Sequence, residues 1–239
     1  MNTVKIEKIN TKMVAHRGLS GIEKENTNSA FVAAGNRSYY GIETDIHRTA
    51  DGRFAVVHDS SLKRVAGENI PVEEVSMQTL SRTVLIDKDG SRDRADLTVP
   101  TLENYVSICK KYEKHCVLEL KSDFTDAEIE EIVRIIDSYS YLEGVTFISF
   151  IYDNLKRIRK VLPTSRVQFL FTEMTGEIKA RLISDGFDVD IYHENLTREL
   201  IDELHGEGIE VNCWTVDSKE KAEQLCEWGV DYITSNVLE

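Results

Sequence analysis

The chain contains 239 residues and carries a formal net charge of −13 at pH 7, with 41% hydrophobic and 30% charged residues. Its length is close to the ~250 residues typical of a one-domain α/β barrel, and its composition is ordinary for a globular protein. The acidic excess argues against nucleic-acid binding, which requires a basic face, and it disfavours an anionic membrane surface.

The N-terminal twelve residues contain no continuous apolar segment of the kind found in signal peptides. No run approaches the ~18 apolar residues of a membrane-spanning helix, so we expect no membrane anchor. The cysteines lack Cys-x-x-Cys spacing and suit buried positions better than disulfides or zinc ligation: Cys109, Cys116, Cys213 and Cys226. These features predict a reduced, cytoplasmic setting, and they leave the oligomeric state open.

The first predicted strand runs from Lys12 to Ala15 and continues into His16-Arg17-Gly18. Helical spacing follows over residues 28–36, and Thr27 is suitably placed to be the N-cap of that helix. The chain therefore begins with one strand and one helix, which is the repeating unit of an α/β barrel.

The second predicted strand runs from Gly41 to His47, where apolar and polar residues alternate. Because successive side chains of a strand point to opposite faces, Glu43, Asp45 and His47 are expected to share one face. A turn and an extended return leg then lead to His58. This part of the chain therefore combines two acids and two histidines.

Residues 60–98 are the least regular part of the sequence, with scattered glycine, proline and charged residues. About forty residues without strong periodicity inside a barrel indicate an insertion or lid rather than a second domain. We therefore expect a single domain over residues 1–239, with an irregular insertion at about 60–99.

After Pro100, apolar stripes at helical spacing alternate with short apolar strands. Eight strands are predicted in all, and they end at or near His16, Asp45, Glu119, Ser149, Phe171, Tyr192, Trp214 and Thr234. Repeated strand–helix units with an eighth strand near the terminus predict the α/β class and a closed TIM (β/α)8 barrel rather than an open sheet. In such a barrel the strand ends converge on one rim, so distant residues can share a pocket.

Three acids are expected near that rim. Glu43 and Asp45 lie two residues apart on one strand, and Glu119 occupies a comparable place on the following barrel strand. Three converging carboxylates suit Ca²⁺ or Mg²⁺, and without a cation they would repel one another. An alternative is that one or more of them simply pairs with Lys121 or Arg17.

Several motifs occur in a characteristic order. His16-Arg17-Gly18 is followed by Glu25-Asn26-Thr27, Glu43-Thr44-Asp45, Asp51-Gly52 and His58-Asp59. This series resembles the glycerophosphodiester phosphodiesterase family. Two later segments are similar to that family's third and seventh strands: Leu118-Glu119-Leu120-Lys121 and Asn212-Cys213-Trp214-Thr215-Val216. The similarity extends from about Met13 to Thr234, and it implies a TIM barrel with an insertion after the second strand.

The resemblance also implies roles for these residues. It implies that Glu43, Asp45 and Glu119 bind a divalent cation, Ca²⁺ or Mg²⁺, and that His16 and His58 act as general acid and base. The sequence departs from the family pattern at the end of the eighth strand, where Thr234-Ser235-Asn236 stands in place of the common Thr-Asp pair.

Three further side chains are candidates for substrate contacts. Arg17 and Lys121 can bind phosphate oxygens, although a surface salt bridge is the simpler interpretation of Lys121. Trp214 can form an apolar wall for the glycerol carbons, or it can pack in the core. Weaker candidates for a functional role are His47, His193, Glu173 and Ser149.

The activity implied by the resemblance is metal-dependent hydrolysis of glycerophosphodiesters to sn-glycerol 3-phosphate and an alcohol. One alternative is a cyclising, phospholipase C-like phosphodiesterase on the same fold, which would need an apolar membrane-facing rim. The other is a non-catalytic barrel that binds a sugar phosphate or a metal, and tight binding without turnover would favour it. The partner expected in the first two cases is a small-molecule phosphodiester.

Overall fold

The computed structural model describes residues 2–239, which form a barrel surrounded by helices. The strands are β1 (Lys12–Ala15), β2 (Gly41–Arg48), β3 (Phe54–Val56), β4 (His115–Leu120), β5 (Val145–Ser149), β6 (Arg166–Phe171), β7 (Asp188–Tyr192), β8 (Val211–Trp214) and β9 (Tyr232–Ser235). All of them except β3 are parallel, and the ring closes because β1 pairs with both β2 and β9. β3 pairs with β2 in the antiparallel direction. The predicted TIM (β/α)8 barrel is thus confirmed.

Helices connect the strands and cover the outside of the barrel. They are α1 (Asn28–Gly35), α2 (Lys63–Ala66), α3 (Met77–Arg82), α4 (Leu102–Lys111), α5 (Asp126–Ser138), α6 (Tyr152–Val161), α7 (Gly176–Asp185), α8 (Arg198–Gly206) and α9 (Lys219–Glu227). The predicted N-cap Thr27 is confirmed, because its side chain accepts a hydrogen bond from the Ala30 amide. Among residues 2–239, no helix combines the length and the apolar character needed to cross a bilayer.

The main hydrophobic core lies between the barrel and its helices. Buried residues of α4 and α5 pack there because each helix carries apolar side chains along one stripe. Both helices begin with a capping box, at Thr101 and Thr125, which satisfies amide groups of the first turn. The rigid wall produced by this packing fixes the positions of the strand ends.

The segment after β3 has an apolar cluster of its own, separate from the main core. Its buried members include Val57, Leu62, Leu80 and Leu97. The sequence indicated no regular elements here, but the structure contains the helices α2 and α3. Both are too short to produce a visible period in the sequence. The insertion is therefore an ordered segment that lies beside the rim. The single-domain organisation stays a prediction.

Candidate active site

A cavity of about 120 Å³ opens at the carboxyl ends of the strands. Eight residues were predicted from the sequence to form the site. Six of them line this cavity: His16, Arg17, Glu43, His58, Glu119 and Trp214. The other two, Asp45 and Lys121, contact the lining residues directly, as described below. The barrel therefore brings together residues that are up to 198 positions apart in the chain (Trp214 and His16).

The three acids converge because of the strand register. Asp45 on β2 lies opposite Glu119 on β4, and Glu43 lies two residues before Asp45 on the same strand. Carboxylate oxygens of the three residues all lie within 4.8 Å of one another, and the side chains are buried. Asp45 Oδ1 has no hydrogen-bond partner. A compact set of hard oxygen donors with one unpartnered oxygen fits a divalent cation such as Ca²⁺ or Mg²⁺.

Without a cation, the carboxyl groups of the cluster oppose one another's ionisation. Burial and the neighbouring Asp45 raise the pKa of Glu43 well above its ordinary value. Burial and Asp45 likewise raise the pKa of Glu119 to about 8. Burial also opposes ionisation of Asp45, but Arg17, His58 and Lys121 together hold its pKa at about 2. One carboxylate is therefore charged at neutral pH while its two neighbours resist ionisation, and a bound cation would relieve that resistance.

Two cations flank the acids. Lys121 Nζ lies 2.9 Å from Glu119 Oε1 and 3.7 Å from Asp45 Oδ1. Arg17 Nη1 lies 2.9 Å from Glu25 Oε1, and Arg17 Nε lies 3.6 Å from Asp45 Oδ2 without a hydrogen-bond partner. Lys121 therefore forms a salt bridge, but a largely buried one beside the cavity rather than a surface one, and its role in binding phosphate stays a prediction. Because both cations also sit beside the cavity, they remain able to attract a phosphate group.

The imidazole of His16 is oriented by two side chains near the C-terminal end of the sequence, Asn236 and Asp217. Its Nδ1 lies 2.8 Å from Asn236 Oδ1, and Asn236 Nδ2 donates to Asp217 Oδ2 at 2.6 Å. The Asp217 carboxylate accepts only, so it fixes the amide with its oxygen toward His16. Nδ1 of His16 must then donate, which leaves Nε2 without a proton in the neutral ring. Burial and the nearby Arg17 lower the pKa of His16 and favour that neutral ring.

His58 has a different partner. Its Nδ1 lies 2.7 Å from Asp59 Oδ1, and Asp59 Oδ2 accepts a hydrogen bond from Arg64 at 2.7 Å. Arg64 in turn pairs with Glu25, which also binds Arg17. Burial lowers the pKa of His58, while the carboxylates of Asp45 and Asp59 oppose that effect. The imidazole of His16 therefore contacts an amide oxygen, whereas the imidazole of His58 contacts a carboxylate.

The opposite side of the cavity combines apolar side chains with one buried acid, Asp190. Trp214 lies between Phe150 and Tyr192, with ring centroids 5.7 Å and 5.5 Å away, respectively. Phe150 is 47% exposed and Tyr192 is 36% exposed, so the aromatic group forms part of the mouth. Trp214 Nε1 donates to the Asp190 carbonyl at 3.4 Å, which sets the orientation of the indole. Aromatic side chains thus line this part of the cavity, and the role of Trp214 as an apolar wall for the glycerol carbons stays a prediction.

Sequence reasoning assigned no role to several residues that the structure places in this network. Asn26 donates to Asp45 Oδ2 at 2.8 Å and accepts from Thr44, so it orients an acid of the cluster. Its presence in the Glu25-Asn26-Thr27 motif was the available signal. The sequence marked Asn236 only as part of a departure from the family pattern, and nothing connected it or Asp217 to His16 across more than 200 residues.

The weaker candidates lie outside the cavity lining. His47 Nε2 lies 3.1 Å from the His58 carbonyl oxygen, and His47 Nδ1 lies 3.6 Å from Glu73. Ser149 donates to the Leu120 carbonyl, which ties β5 to β4. His193 pairs with its neighbour Glu194, and Glu173 is exposed. These contacts assign structural tasks to His47 and Ser149 beside the site.

Comparison with known proteins shows the family of this chain. A sequence model of the glycerophosphoryl diester phosphodiesterase family matches residues 16–239. The chain belongs to this family. The resemblance inferred from the sequence motifs is thereby confirmed. A glycerophosphodiester phosphodiesterase of Caldanaerobacter subterraneus subsp. tengcongensis is 26% identical over 229 residues, covering 95% of this chain and 94% of its own.

Solved structures of the glycerophosphodiester phosphodiesterase family share the fold. One from Parabacteroides distasonis has a TM-score of 0.79 and 27% identity, covering 96% of this chain and 94% of its own. An Oleispira antarctica phosphodiesterase, solved in complex with the product sn-glycerol-3-phosphate, has a TM-score of 0.82 and 21% identity over 95% of this chain and 93% of its own. The barrel and its flanking helices are thus those of known family members.

Proposed function

We propose that this protein hydrolyses glycerophosphodiesters to sn-glycerol 3-phosphate and an alcohol in a metal-dependent reaction. The observation that carries the proposal is the convergence of three buried carboxylates and two imidazoles on one small cavity. Family membership and the product named for the Oleispira antarctica relative support the same substrate class. The cytoplasmic setting stays a prediction.

Glu43, Asp45 and Glu119 would hold the cation. When bound, a Ca²⁺ or Mg²⁺ ion supplies positive charge that stabilises negative charge on phosphate oxygens. The unpartnered Arg17 Nε and the Lys121 ammonium group add positive charge on the same side of the cavity. These positive charges thereby offset the net negative charge of the protein at the place where an anionic substrate would bind.

The two histidines move protons in this proposal, and their partners distinguish them. His16 keeps its proton on Nδ1 for Asn236, so its Nε2 can accept a proton from the attacking hydroxyl or water. His58 rests on the Asp59 carboxylate, which stabilises an imidazolium better than an amide does. We therefore assign His16 as the proton acceptor and His58 as the donor to the leaving alkoxide.

The test is hydrolysis of glycerophosphocholine, followed by ³¹P NMR, before and after chelation and with Ca²⁺ or Mg²⁺ added back. We expect chelation to abolish turnover, add-back to restore it, and His16→Ala to lower it by at least 100-fold. His205→Ala is the matched control, since His205 pairs with Asp231 away from the cavity. Turnover that is indifferent to chelation, or that survives His16→Ala, contradicts the proposal.

The same spectra separate the alternatives. A cyclic phosphate as the final product would identify a cyclising phosphodiesterase. Tight binding of glycerol 3-phosphate without any turnover would identify a non-catalytic barrel.

A further inference from the structure

Asp190 is a buried acid that the proposed mechanism does not use. It lies on β7, is 2% exposed, and its Oδ1 has no hydrogen-bond partner. A buried polar atom left unpaired is destabilising, so a fold rarely retains one without a use. No ion pair in the described part of the chain involves this carboxyl either. Asp190 therefore stands apart from the salt-bridged acids of the opposite wall.

The topology places Asp190 across the cavity from the acidic cluster. In the ring of eight parallel strands, β7 lies four positions from β2 in either direction, so it is diametrically opposite Glu43. Asp190 lines the same cavity as Glu43, and its neighbours in the lining are Leu170, Trp214 and Thr234. A molecule whose phosphate lies at the acids and histidines must extend toward this wall.

The protonation state of Asp190 indicates which group it can recognise. Burial alone raises the pKa of Asp190 well above its ordinary value, and no cation opposes the effect. This shift favours the neutral carboxylic acid, which offers one hydrogen-bond donor and one acceptor. A hydroxyl group has the same combination. A cationic alcohol such as choline would instead require a carboxylate.

We propose that Asp190 is a specificity-determining residue that hydrogen-bonds the terminal hydroxyl of the glycerol unit. This inference rests on the proposed function, because it takes the phosphate to lie beside Glu43 and the histidines. Trp214 and Leu170 then cover the glycerol carbons, and the hydroxyl farthest from phosphorus reaches the carboxyl on β7. The unpaired oxygen of Asp190 acquires its partner only when such a substrate binds.

The test compares glycerophosphocholine with 2-hydroxypropyl phosphocholine, which lacks only the terminal hydroxyl. We expect the wild type to prefer glycerophosphocholine by roughly 10- to 100-fold in kcat/KM, because the analogue leaves the buried carboxyl unpaired. Asp190→Leu should reduce that preference to about twofold. Asp190→Asn, which keeps a donor and an acceptor, should retain most of it. Asp188→Asn is the matched control: Asp188 lies on the same strand but binds the Glu210 amide outside the cavity lining.

Three results would overturn the inference. The first is a preference that Asp190→Leu leaves intact. The second is an equal loss on both substrates, which indicates a structural role. The third is a loss that follows the charge of the alcohol, seen by comparing glycerophosphocholine with glycerophosphoglycerol, which indicates a head-group site.

Calorimetry separates this inference from the proposed function. Binding of glycerol 3-phosphate and of 2-hydroxypropyl phosphate is measured for the wild type and for Asp190→Leu in the presence of Mg²⁺ or Ca²⁺. A hydroxyl-dependent affinity that disappears in Asp190→Leu supports the role of Asp190 even if no ester is hydrolysed. Normal hydrolysis together with a hydroxyl-independent affinity refutes the role of Asp190 and leaves the hydrolase intact.

Discussion

His16 Nδ1 lies 2.8 Å from Asn236 Oδ1, so an amide that directly follows the last strand fixes the proton of an imidazole that directly follows the first. The amide is itself oriented by Asp217, whose carboxylate accepts from both the side chain and the backbone amide of Asn236. The geometry makes the protonation pattern of His16 depend on two residues that do not need to touch the substrate.

The first prediction concerns the hydrogen bonds that link Asp217 through Asn236 to His16. Asn236→Leu should lower kcat by about 10- to 100-fold with little change in KM, because the ring of His16 loses the acceptor that selects its tautomer. Asn236→Asp should recover part of the rate, since it restores an oxygen acceptor. Steady-state kinetics on glycerophosphocholine provides the measurement. A change confined to KM, or a complete lack of rescue, would contradict this positioning role of Asn236.

The second prediction concerns the acidic cluster. The pKa of Glu119 is raised to about 8 by burial and by Asp45, so its ionisation at higher pH opposes folding when no cation is present. Glu119→Gln should therefore raise Tm by roughly 2–4 °C at pH 8 in a chelator. The same variant should lose most of the Tm increase that Ca²⁺ or Mg²⁺ produces in the wild type. Glu143→Gln, at a position outside the cluster, is the control.

A third prediction follows from a histidine at the opposite end of the barrel. Burial, together with Arg166 and Lys12, lowers the pKa of His115 from 6.5 to about 4. The unfolded chain takes up this proton first, so stability is full above pH 6.5 and declines as the pH falls toward 4. The loss amounts to about 2 kcal/mol after allowance for partial solvent access.

Urea unfolding at several pH values tests this assignment. His115→Gln should show a weaker decline in the free energy of unfolding between pH 6.5 and pH 4 than the wild type does. An unchanged decline would assign it to other groups.

The fourth prediction uses the two tryptophans as probes. Trp214 lines the cavity, whereas Trp228 follows helix α9 and packs against the main core. Glycerol 3-phosphate added with Mg²⁺ or Ca²⁺ should change the fluorescence of Trp228→Phe, which retains Trp214. It should leave the fluorescence of Trp214→Phe nearly constant. A response that follows Trp228 instead would place the ligand elsewhere.

The barrel strands were predictable from the sequence because each one is a short apolar run between amphipathic helices. The predicted bounds of the first strand, Lys12 to Ala15, are unchanged, and the second strand, predicted over Gly41 to His47, extends by one residue to Arg48. The acidic cluster was predictable for a related reason, since Glu43 and Asp45 share a strand face. Local periodicity is sufficient for the strands and for the pair Glu43 and Asp45, whereas the approach of Glu119 depends on the register between β2 and β4.

Contacts made by side chains from different loops were not predictable in this way. The pairing of Arg64 with Glu25 and Asp59 links the insertion to the first loop, and no period in the sequence records it. The lack of a partner for the Asp190 carboxyl was not predictable either. Asp190 alternates with apolar residues on β7, and any strand with one polar face has the same pattern. Such features depend on which groups are absent nearby, and only the folded chain reveals that.

Ring closure between β1 and β9 has a consequence for how the enzyme is made. During synthesis on the ribosome, the imidazole of His16 emerges early, but its acceptor is added more than two hundred residues later. A nascent chain that lacks Asn236 also lacks the acceptor that holds the Nδ1 proton of His16. Catalytic competence would therefore arrive abruptly, with the final strand, rather than accumulate as the polypeptide lengthens.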